Sequence, residues 1–139
     1  NSHARAEYAI DYAVQYMSER TAFGKSIDGF QALRHKIAEI STQMELCKEF
    51  NYSIAKRLND GTYVVKEASM AKMVSTKMAD SVIYDALQML GGYGYMEDYP
   101  LARMLRDSRL GPIGGGTSEI LKEIIAKMII DKKDYKPAT

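Results

Sequence analysis

The stretch FQALRHKIAEISTQMELCKEFNYSIAKRL, residues 30–58, decides the fold class of this chain. Its apolar or small side chains recur every three or four residues over about eight turns, which is the spacing of one face of an amphipathic helix. Asn51 is the one polar interruption, and Gly61 follows as a typical left-handed helix cap. The pattern predicts a helix from Phe30 to Leu58 whose stripe packs on partner helices. The stripe consists of Phe30, Leu33, Ile37, Ile40, Met44, Cys47, Ile54 and Leu58.

Four further segments have the same helical spacing, at about residues 4–19, 63–90, 100–110 and 117–130. No segment alternates with a period of two, so the sequence predicts no sheet. Long helices with short connections favour an all-α fold, an antiparallel four-helix bundle with one short extra helix. The 139 residues correspond to a single domain, ordered over about residues 4–130 and followed by a polar tail at 131–139.

The predicted apolar faces are wide for one small bundle. Residues 117–130 are apolar over about half of the helix circumference, and nine Met residues supply adaptable surface. Either the interior is rich in Met, or one face meets another subunit or a further domain, and we favour the second interpretation. The face predicted to be buried in 63–90 consists of Ala68, Met70, Met73, Val74, Ala79, Val82, Ile83, Ala86 and Leu90.

Composition narrows the class of protein. A net charge of +1 argues against a dedicated nucleic-acid binder, which usually carries a clustered basic excess. No apolar run approaches the roughly 20 residues that span a bilayer. The single cysteine, Cys47, excludes an intrachain disulfide, fits a reducing compartment, and is predicted to be buried rather than reactive. Neither His3 nor His35 follows a glutamate at the spacing of di-iron bundles, so no metal site is predicted.

Three segments at predicted helix ends have the composition of ligand-binding loops. The first, Arg20-Thr21-Ala22-Phe23-Gly24-Lys25-Ser26-Ile27, has two interpretations. Arg20 and Gly24 are typical of a helix C-terminus, where a cation complements the helix dipole and glycine caps the end. Alternatively, Arg20 forms a fork onto a diphosphate while Phe23, three residues later on roughly the same side, packs beside an adenine ring.

The second segment, Gln88 to Tyr95, contains Gly91-Gly92 and Gly94. A double glycine simply ends a helix, or its missing side chains let a ligand approach the backbone while the Gln88 amide bonds to phosphate or ribose. A dinucleotide-binding loop of the Rossmann type is rejected because no strand precedes it.

The third segment, Gly114-Gly115-Gly116-Thr117-Ser118-Glu119-Ile120, places a flexible loop directly before a helix N-terminus. Thr117 or Ser118 can cap that helix, and exposed amides at a helix N-terminus favour an anion. A plain capping loop is the alternative. The segment lacks the Gly-Lys-Ser/Thr of a nucleoside triphosphatase.

Taken together, these motifs resemble the C-terminal helical domain of acyl-CoA dehydrogenases over about residues 4–130. The resemblance rests on Arg-x-x-Phe-Gly-x-x-Ile at 20–27 with Phe30-Gln31, Gln-x-x-Gly-Gly-x-Gly-Tyr at 88–95, Tyr99-Pro100, Leu105-Arg106-Asp107 and Gly-Gly-Thr-Ser-Glu-Ile at 115–120. It implies an enzyme that oxidises the Cα–Cβ bond of an acyl-CoA thioester to a trans-enoyl-CoA. A glutamate takes the α-proton, FAD accepts a hydride, and an electron-transferring flavoprotein reoxidises the flavin. The resemblance also implies an N-terminal helical domain, a middle β domain, and assembly of a homotetramer, a dimer of dimers, through this domain.

The same resemblance implies roles for residues of this chain. Arg20, Phe23 and Gln31 correspond to contacts with the adenine–diphosphate half of FAD. A second FAD contact, reached across the dimer interface, corresponds to Gln88, Met89, Leu90, Gly91 and Gly92. Contacts with the flavin half correspond to Thr117, Ser118 and Glu119. Gly115 and Gly116 lie beside the bound thioester.

One departure from the family pattern concerns the catalytic base. Many members carry a glutamate at the position of Gly115, and a glycine abstracts nothing. Long-chain and isovaleryl types also have a small residue there and place the base on the preceding helix. We therefore expect the base upstream of residue 1 and no catalytic residue in this chain. The isolated fragment is expected to be inactive and to bind little FAD.

Two alternatives to the dehydrogenase follow from the same scaffold. One is a non-catalytic helical interaction module that lost the chemistry. The other is an acyl-CoA oxidase or flavin monooxygenase relative that uses oxygen. The expected compartment is the bacterial cytoplasm or the mitochondrial matrix.

Overall fold

The computed structural model describes residues 1–135, and within them the chain forms six α-helices and one small antiparallel hairpin. The predicted all-α, antiparallel four-helix architecture is confirmed. The long helices of the bundle are α1 (Ser2–Glu19), α2 (Gln31–Asn59), α3 (Val65–Met89) and α6 (Ser118–Ile130). Two short helices lie between α3 and α6, namely α4 (Gly92–Tyr95) and α5 (Pro100–Ser108).

The prediction of no sheet is wrong at one place. Strands β1 (Thr21–Ala22) and β2 (Lys25–Ser26) pair antiparallel directly after α1, and a 3₁₀ turn over Ile27–Gly29 leads into α2. Two-residue strands are too short to show an alternating pattern, so the periodicity of the sequence cannot reveal them. Phe23 and Gly24 form the connecting turn with φ of +53° and +80°, the pair of positive angles that a type I′ hairpin requires.

Helix ends follow their local signals, and the five predicted helices begin and end within two residues of the observed ones. The predicted glycine cap of α2 is confirmed: Gly61 has φ of +76°. Its N–H donates to the carbonyl of Leu58 at 3.0 Å, and the Thr62 N–H donates to that of Arg57 at 2.9 Å, which is the Schellman arrangement. Leu58 continues the predicted stripe but is 61% exposed, because it lies in the last turn of α2.

The core is built around α3, which packs against α1, α2, α5 and α6. Small side chains dominate the contact with α1, since Ala6, Ala9 and Ala13 are fully buried there. Fully buried side chains of α3 fill the same core. The most enclosed members of the cluster on α3, at its C-cap and on α5 are Val82, Ile83, Ala86, Leu90 and Leu101.

The predicted buried face of α3 is correct in its C-terminal half and wrong in its N-terminal half. Ala68 and Val74 are exposed, whereas Ser69 and Thr76 are buried. The buried hydroxyls donate to carbonyls one turn earlier, Ser69 to Val65 at 2.8 Å and Thr76 to Lys72 at 2.9 Å. Because these bonds satisfy the hydroxyls within the helix, Ser and Thr occupy core positions that hydropathy assigns to neighbouring residues.

Asn51, the polar interruption of the α2 stripe, links two helices. Its side-chain amide donates to Ser75 Oγ of α3 at 2.9 Å. Burial of a polar group costs little when a partner is present, so this pair fits inside the interface. On the same stripe Cys47 is buried as predicted, and burial raises the pKa of its thiol.

The last helix leaves much of its apolar face open. In α6, Leu121 is buried against the rest of the domain, while Ile120, Ile129 and Ile130 are 55%, 48% and 74% exposed. Beyond α6, the Tyr135 N–H donates to the Tyr63 hydroxyl at 2.6 Å. The rest of the predicted tail, residues 136–139, lies outside the described residues. Within residues 1–135, none of the helices combines the length and apolarity needed to cross a bilayer.

Gly94 gives a test of the contact between α4 and α3. A Cβ at this position would lie 2.3 Å from the backbone oxygen of Leu87. Gly94→Ala should therefore lower the free energy of unfolding by about 1–3 kcal/mol. Gly92→Ala is the matched control, because a Cβ there meets nothing within 4 Å. Chemical denaturation of the two variants makes the comparison, and equal midpoints would contradict the packing described.

Candidate functional site

The C-terminal ends of α1 and α3 meet at a surface cavity of about 560 Å³, here called the Arg20 cavity. The structure thus brings the first candidate segment against the second. Arg20 contributes from the end of α1, and Gln88 to Gly92 contribute from the end of α3 and the start of α4. The full lining is Tyr16, Arg20, Ile27, Gln88, Met89, Leu90, Gly91, Gly92, Tyr93 and Met96.

The two glycines give this cavity an open backbone surface. Gly91 has φ of +58°, which favours glycine, and a Cβ at Gly91 or Gly92 would meet nothing within 4 Å. The side chains of Met89 and Leu90 belong to the core, with 7% and 2% of their surface exposed. A ligand in the Arg20 cavity therefore approaches main chain at this edge rather than large side chains.

The Arg20 cavity has helix C-termini beside it rather than a helix N-terminus, which is unusual for a site that binds an anion. Helix C-termini carry partial negative charge, and the ends of both α1 and α3 face this cavity. Arg20 is the cation placed against them, and it forms no ion pair within 4.0 Å anywhere in residues 1–135. A guanidinium without a carboxylate partner offers its full donor fork to a phosphate-bearing ligand.

Two residues of the predicted nucleotide site lie outside the Arg20 cavity. Phe23 is 95% exposed at the tip of the hairpin, and its ring centroid is 6.2 Å from that of Phe30. Gln31 is exposed at the start of α2. A bulky residue with φ of +53° and an uncovered ring is an outlier typical of functional sites.

A second cavity of about 520 Å³, the Thr117 cavity, contains the third candidate segment. It shares no lining residue with the Arg20 cavity. Its contacts with α3 run from Met73 to Asp80, about 12–24 Å along the helix axis from Gln88 and Met89. The lining is Met73, Val74, Lys77, Asp80, Arg109, Pro112, Ile113, Thr117, Ser118, Glu119 and Lys122.

The predicted cap of α6 is confirmed. Thr117 Oγ1 accepts from the Ile120 N–H at 3.4 Å, and the Ser118 N–H donates to the carbonyl of Pro112 at 3.0 Å. Hydrogen bonds from the backbone N–H of Glu119 itself and from the Thr117 hydroxyl hold the pKa of Glu119 below its ordinary value. These amides are engaged inside the chain, so a ligand here would meet side chains as well as a helix N-terminus.

The glycine loop before α6 is fastened to one face of α3. Asp80 accepts hydrogen bonds from Ser108 Oγ and from the Arg109 guanidinium, and Lys72 Nζ donates to the carbonyl of Gly116. Lys72 and Asp80 are eight residues apart, which places them on the same side of the helix. Gly115 and Gly116 have φ of +64° and +94°. The side chains of α3 therefore set where the loop presents Thr117, Ser118 and Glu119.

Sequence reasoning missed several residues of both cavities. Tyr16 could have been predicted as a site residue, because it lies four residues before Arg20 on the same helical face. No helical spacing in the sequence identifies Tyr93 and Met96, because α4 is a single turn. The three cations of the Thr117 cavity, Lys77, Arg109 and Lys122, look like ordinary surface residues in the sequence. Among the described residues, no group of three or more His, Cys, Asp and Glu side chains is placed to hold a metal ion.

Comparison with known proteins identifies relatives along nearly the whole chain. The sequence model of the family described as "Acyl-CoA dehydrogenase, C-terminal domain" matches residues 1–130. The mitochondrial short/branched chain specific acyl-CoA dehydrogenase of Rattus norvegicus is 39% identical over 89% of this chain and 29% of its own length. Subunit CarC of the caffeyl-CoA reductase–Etf complex of Acetobacterium woodii is 38% identical over 91% of this chain and 34% of its own length. The chain thus spans about a third of the length of these curated relatives.

Solved structures show the same fold. An acyl-CoA dehydrogenase from Geobacillus kaustophilus superposes with a TM-score of 0.90 and 39% identity, covering 93% of this chain and 34% of that protein. The FAD complex of PigA superposes with a TM-score of 0.85 and 26% identity, covering 92% of this chain and 33% of that protein.

Replacement of Asp80 tests whether its hydrogen bonds hold the glycine loop against α3. Asp80→Asn removes the charge that accepts from Arg109, so the amides of Gly111, Gly114 and Ser118, which donate within the loop, should exchange with solvent more rapidly. Asp85→Asn is the control, because Asp85 on the same helix pairs with Lys36 of α2, 3.6 Å away. Amide hydrogen exchange measures both variants. Unchanged loop exchange in Asp80→Asn would show that the contacts of Asp80 with Ser108 and Arg109 do not hold the loop.

The Thr117 cap is testable through the titration of Glu119. Thr117→Val should raise the pKa of Glu119 towards its ordinary value of 4.5, whereas Thr117→Ser should preserve the depression. Because the folded-state pKa is lowered, the carboxylate stabilises the fold above about pH 4.5 and loses that contribution as the pH falls through the folded value. Carboxyl NMR titration measures the shift, and identical midpoints in all three proteins would contradict the assignment.

Proposed function

The chain belongs to the acyl-CoA dehydrogenase family as its C-terminal domain, and on that premise we propose that it binds FAD and joins subunits in an FAD-dependent acyl-CoA dehydrogenase. The whole enzyme, an oxidoreductase acting on CH–CH bonds, converts an acyl-CoA thioester to the trans-2-enoyl-CoA. The observation that carries this proposal is the Arg20 cavity, where an arginine without a carboxylate partner faces open glycine backbone.

In this proposal the Arg20 cavity receives the diphosphate of the nucleotide. The Arg20 fork neutralises the phosphate charge, which the two helix C-termini alone would repel. The Gln88 amide donates to phosphate or ribose, and Gly91 and Gly92 admit the ligand to the main chain. Met89 and Leu90 contribute through their backbone, because their side chains are buried.

Phe23 and Gln31 contact the adenine end from outside the cavity. The exposed ring of Phe23 gains apolar contact only when something covers it, and an adenine ring is a flat partner of suitable size. Its strained backbone is consistent with a position kept for binding rather than for the stability of the domain.

The Thr117 cavity serves the flavin half of a second nucleotide. Thr117, Ser118 and Glu119 line it, and it lies along α3 at a different level from the Arg20 cavity. Each FAD is therefore shared: one protomer supplies the Arg20 cavity and its neighbour supplies the Thr117 cavity. The exposed isoleucines of α6 provide apolar surface for a dimer of dimers.

The remaining machinery lies in other parts of the enzyme. Bound FAD supplies the hydride acceptor for the β-carbon of the acyl group. Gly115 and Gly116 lie beside the thioester, and Gly115 leaves proton abstraction to a base upstream of residue 1. We assign residues 1–139 to one domain of a longer protein that also has an N-terminal helical domain and a middle β domain. Without them, this chain alone would be inactive and would hold little FAD.

The relatives also indicate a redox partner and a compartment. A relative that is a subunit of an Etf complex supports an electron-transferring flavoprotein as the acceptor of the electrons. Mitochondrial and bacterial relatives support the mitochondrial matrix or the bacterial cytoplasm. Membership of the family supports an acyl-CoA thioester as the substrate.

Arg20 gives the direct test of this function. In the full-length enzyme, Arg20→Gln should weaken FAD binding about 10-fold or more, because it removes a charge-assisted hydrogen-bond pair worth about 1.5–3 kcal/mol. Arg5→Gln is the matched control: it removes the same charge from the opposite end of α1, and Arg5 lines neither of the two cavities. Titration of the apoenzyme with FAD, followed by flavin fluorescence, measures the dissociation constants.

Three outcomes would each contradict a part of the proposal. Equal weakening in Arg20→Gln and Arg5→Gln would mean that the Arg20 cavity does not hold the diphosphate. A full-length protein that assembles but takes up no FAD would instead favour the non-catalytic interaction module. A reduced flavin that is reoxidised rapidly by air would favour the oxidase or monooxygenase relative.

A further inference from the structure

The Arg20 side chain requires a contact that fixes the orientation of its guanidinium group. It follows the last turn of α1 with extended backbone angles, φ −78° and ψ +123°, at the start of the hairpin. A long arginine side chain has substantial rotamer freedom, and a ligand that must order it loses affinity. Within residues 1–135 no carboxylate lies within 4.0 Å to fix the guanidinium.

The ring of Tyr93 supplies that restraint. The guanidinium carbon of Arg20 lies 5.9 Å from the centroid of this ring, within the range of a cation–π contact. Tyr93 is 39% exposed and is flanked by two other tyrosines. Its centroid is 6.0 Å from that of Tyr16, edge to face, and 5.2 Å from that of Tyr99.

The position of Tyr93 in the chain couples this restraint to the glycine backbone. Tyr93 directly follows Gly91-Gly92 in α4, and the close approach of Gly94 to Leu87 sets α4 against α3. Tyr93 lines the Arg20 cavity and also a neighbouring cavity of about 360 Å³. Tyr16 and Arg20 line both cavities as well, so the three side chains meet at their common boundary.

We propose that Tyr93 is a positioning residue for the nucleotide. Its ring holds the Arg20 guanidinium at the mouth of the cavity, so that the fork and the open Gly91-Gly92 backbone face the same diphosphate. This inference rests on the proposed function and deepens it, because it adds a residue that acts on FAD through Arg20 rather than by direct contact.

A purely structural role for Tyr93 makes a different prediction. If the ring served only to pack α4, its removal would destabilise the domain and weaken FAD binding whether or not Arg20 were present. If Tyr93 only positions Arg20, removal of the Tyr93 ring has no effect on FAD binding when Arg20 is already absent. A double-mutant cycle on Arg20 and Tyr93 separates the two roles.

The experiment uses full-length apoenzyme titrated with FAD. Tyr93→Leu should weaken binding about two- to fivefold, the size of a partly exposed cation–π contact, while Tyr93→Phe keeps the ring and should stay within about twofold of the wild type. In the R20Q background, Tyr93→Leu should cause no further loss. Tyr84→Leu is the control for loss of a tyrosine elsewhere, because Tyr84 is 59% exposed on α3 and lines neither cavity beside Tyr93.

The outcomes are separable. Equal weakening by Tyr93→Leu in both backgrounds, or no weakening in either while the wild type binds FAD, would overturn the positioning role and leave the proposed function intact. If the wild-type enzyme does not bind FAD, both the positioning role of Tyr93 and the proposed function are contradicted. Circular dichroism melts report folding, and should Tyr93→Leu unfold, Tyr93→Met is the second ring-free variant, since its flexible side chain fills irregular space.

Discussion

The close contact between α1 and α3 is the constraint on which the rest of this domain depends. Ala6, Ala9 and Ala13 are fully buried on α1, alongside the larger buried side chains of Ile10 and Met17. Larger side chains at the alanine positions force strain of about 1–3 kcal/mol. Because these two helices end at the same place, their packing brings Arg20 to the edge of the Gly91-Gly92 backbone. The site is therefore a product of helix packing rather than of one loop.

The parts of the fold that the sequence predicted are those with a long repeating pattern. Helices of several turns bury one stripe, so their ends and faces follow from spacing, as α2 and its Gly61 cap show. The hairpin around Phe23 and the single turn of α4 are too short to repeat. Hydropathy fails for Ser69 and Thr76 of α3 for another reason, because their buried hydroxyls are satisfied inside the helix.

The sequence predicted which segments contribute to the site, but it did not predict which of these segments lie together in the fold. Arg20, the Gln88–Gly92 run and the Thr117 loop each have a local signature, yet no spacing in the sequence tells which of them meet. The structure joins the first two and separates the third along α3. Tyr93 could not be predicted at all, because its role depends on three-dimensional proximity to a residue from another helix.

The hairpin turn has a consequence for engineering the stability of this domain. A phenylalanine in a left-handed backbone costs on the order of 1–3 kcal/mol, and a glycine or asparagine would adopt the same turn more easily. The 95% exposed ring at this tip therefore adds little to the stability of the domain, and a redesign for durability that replaces it would remove the surface that we propose to cover adenine.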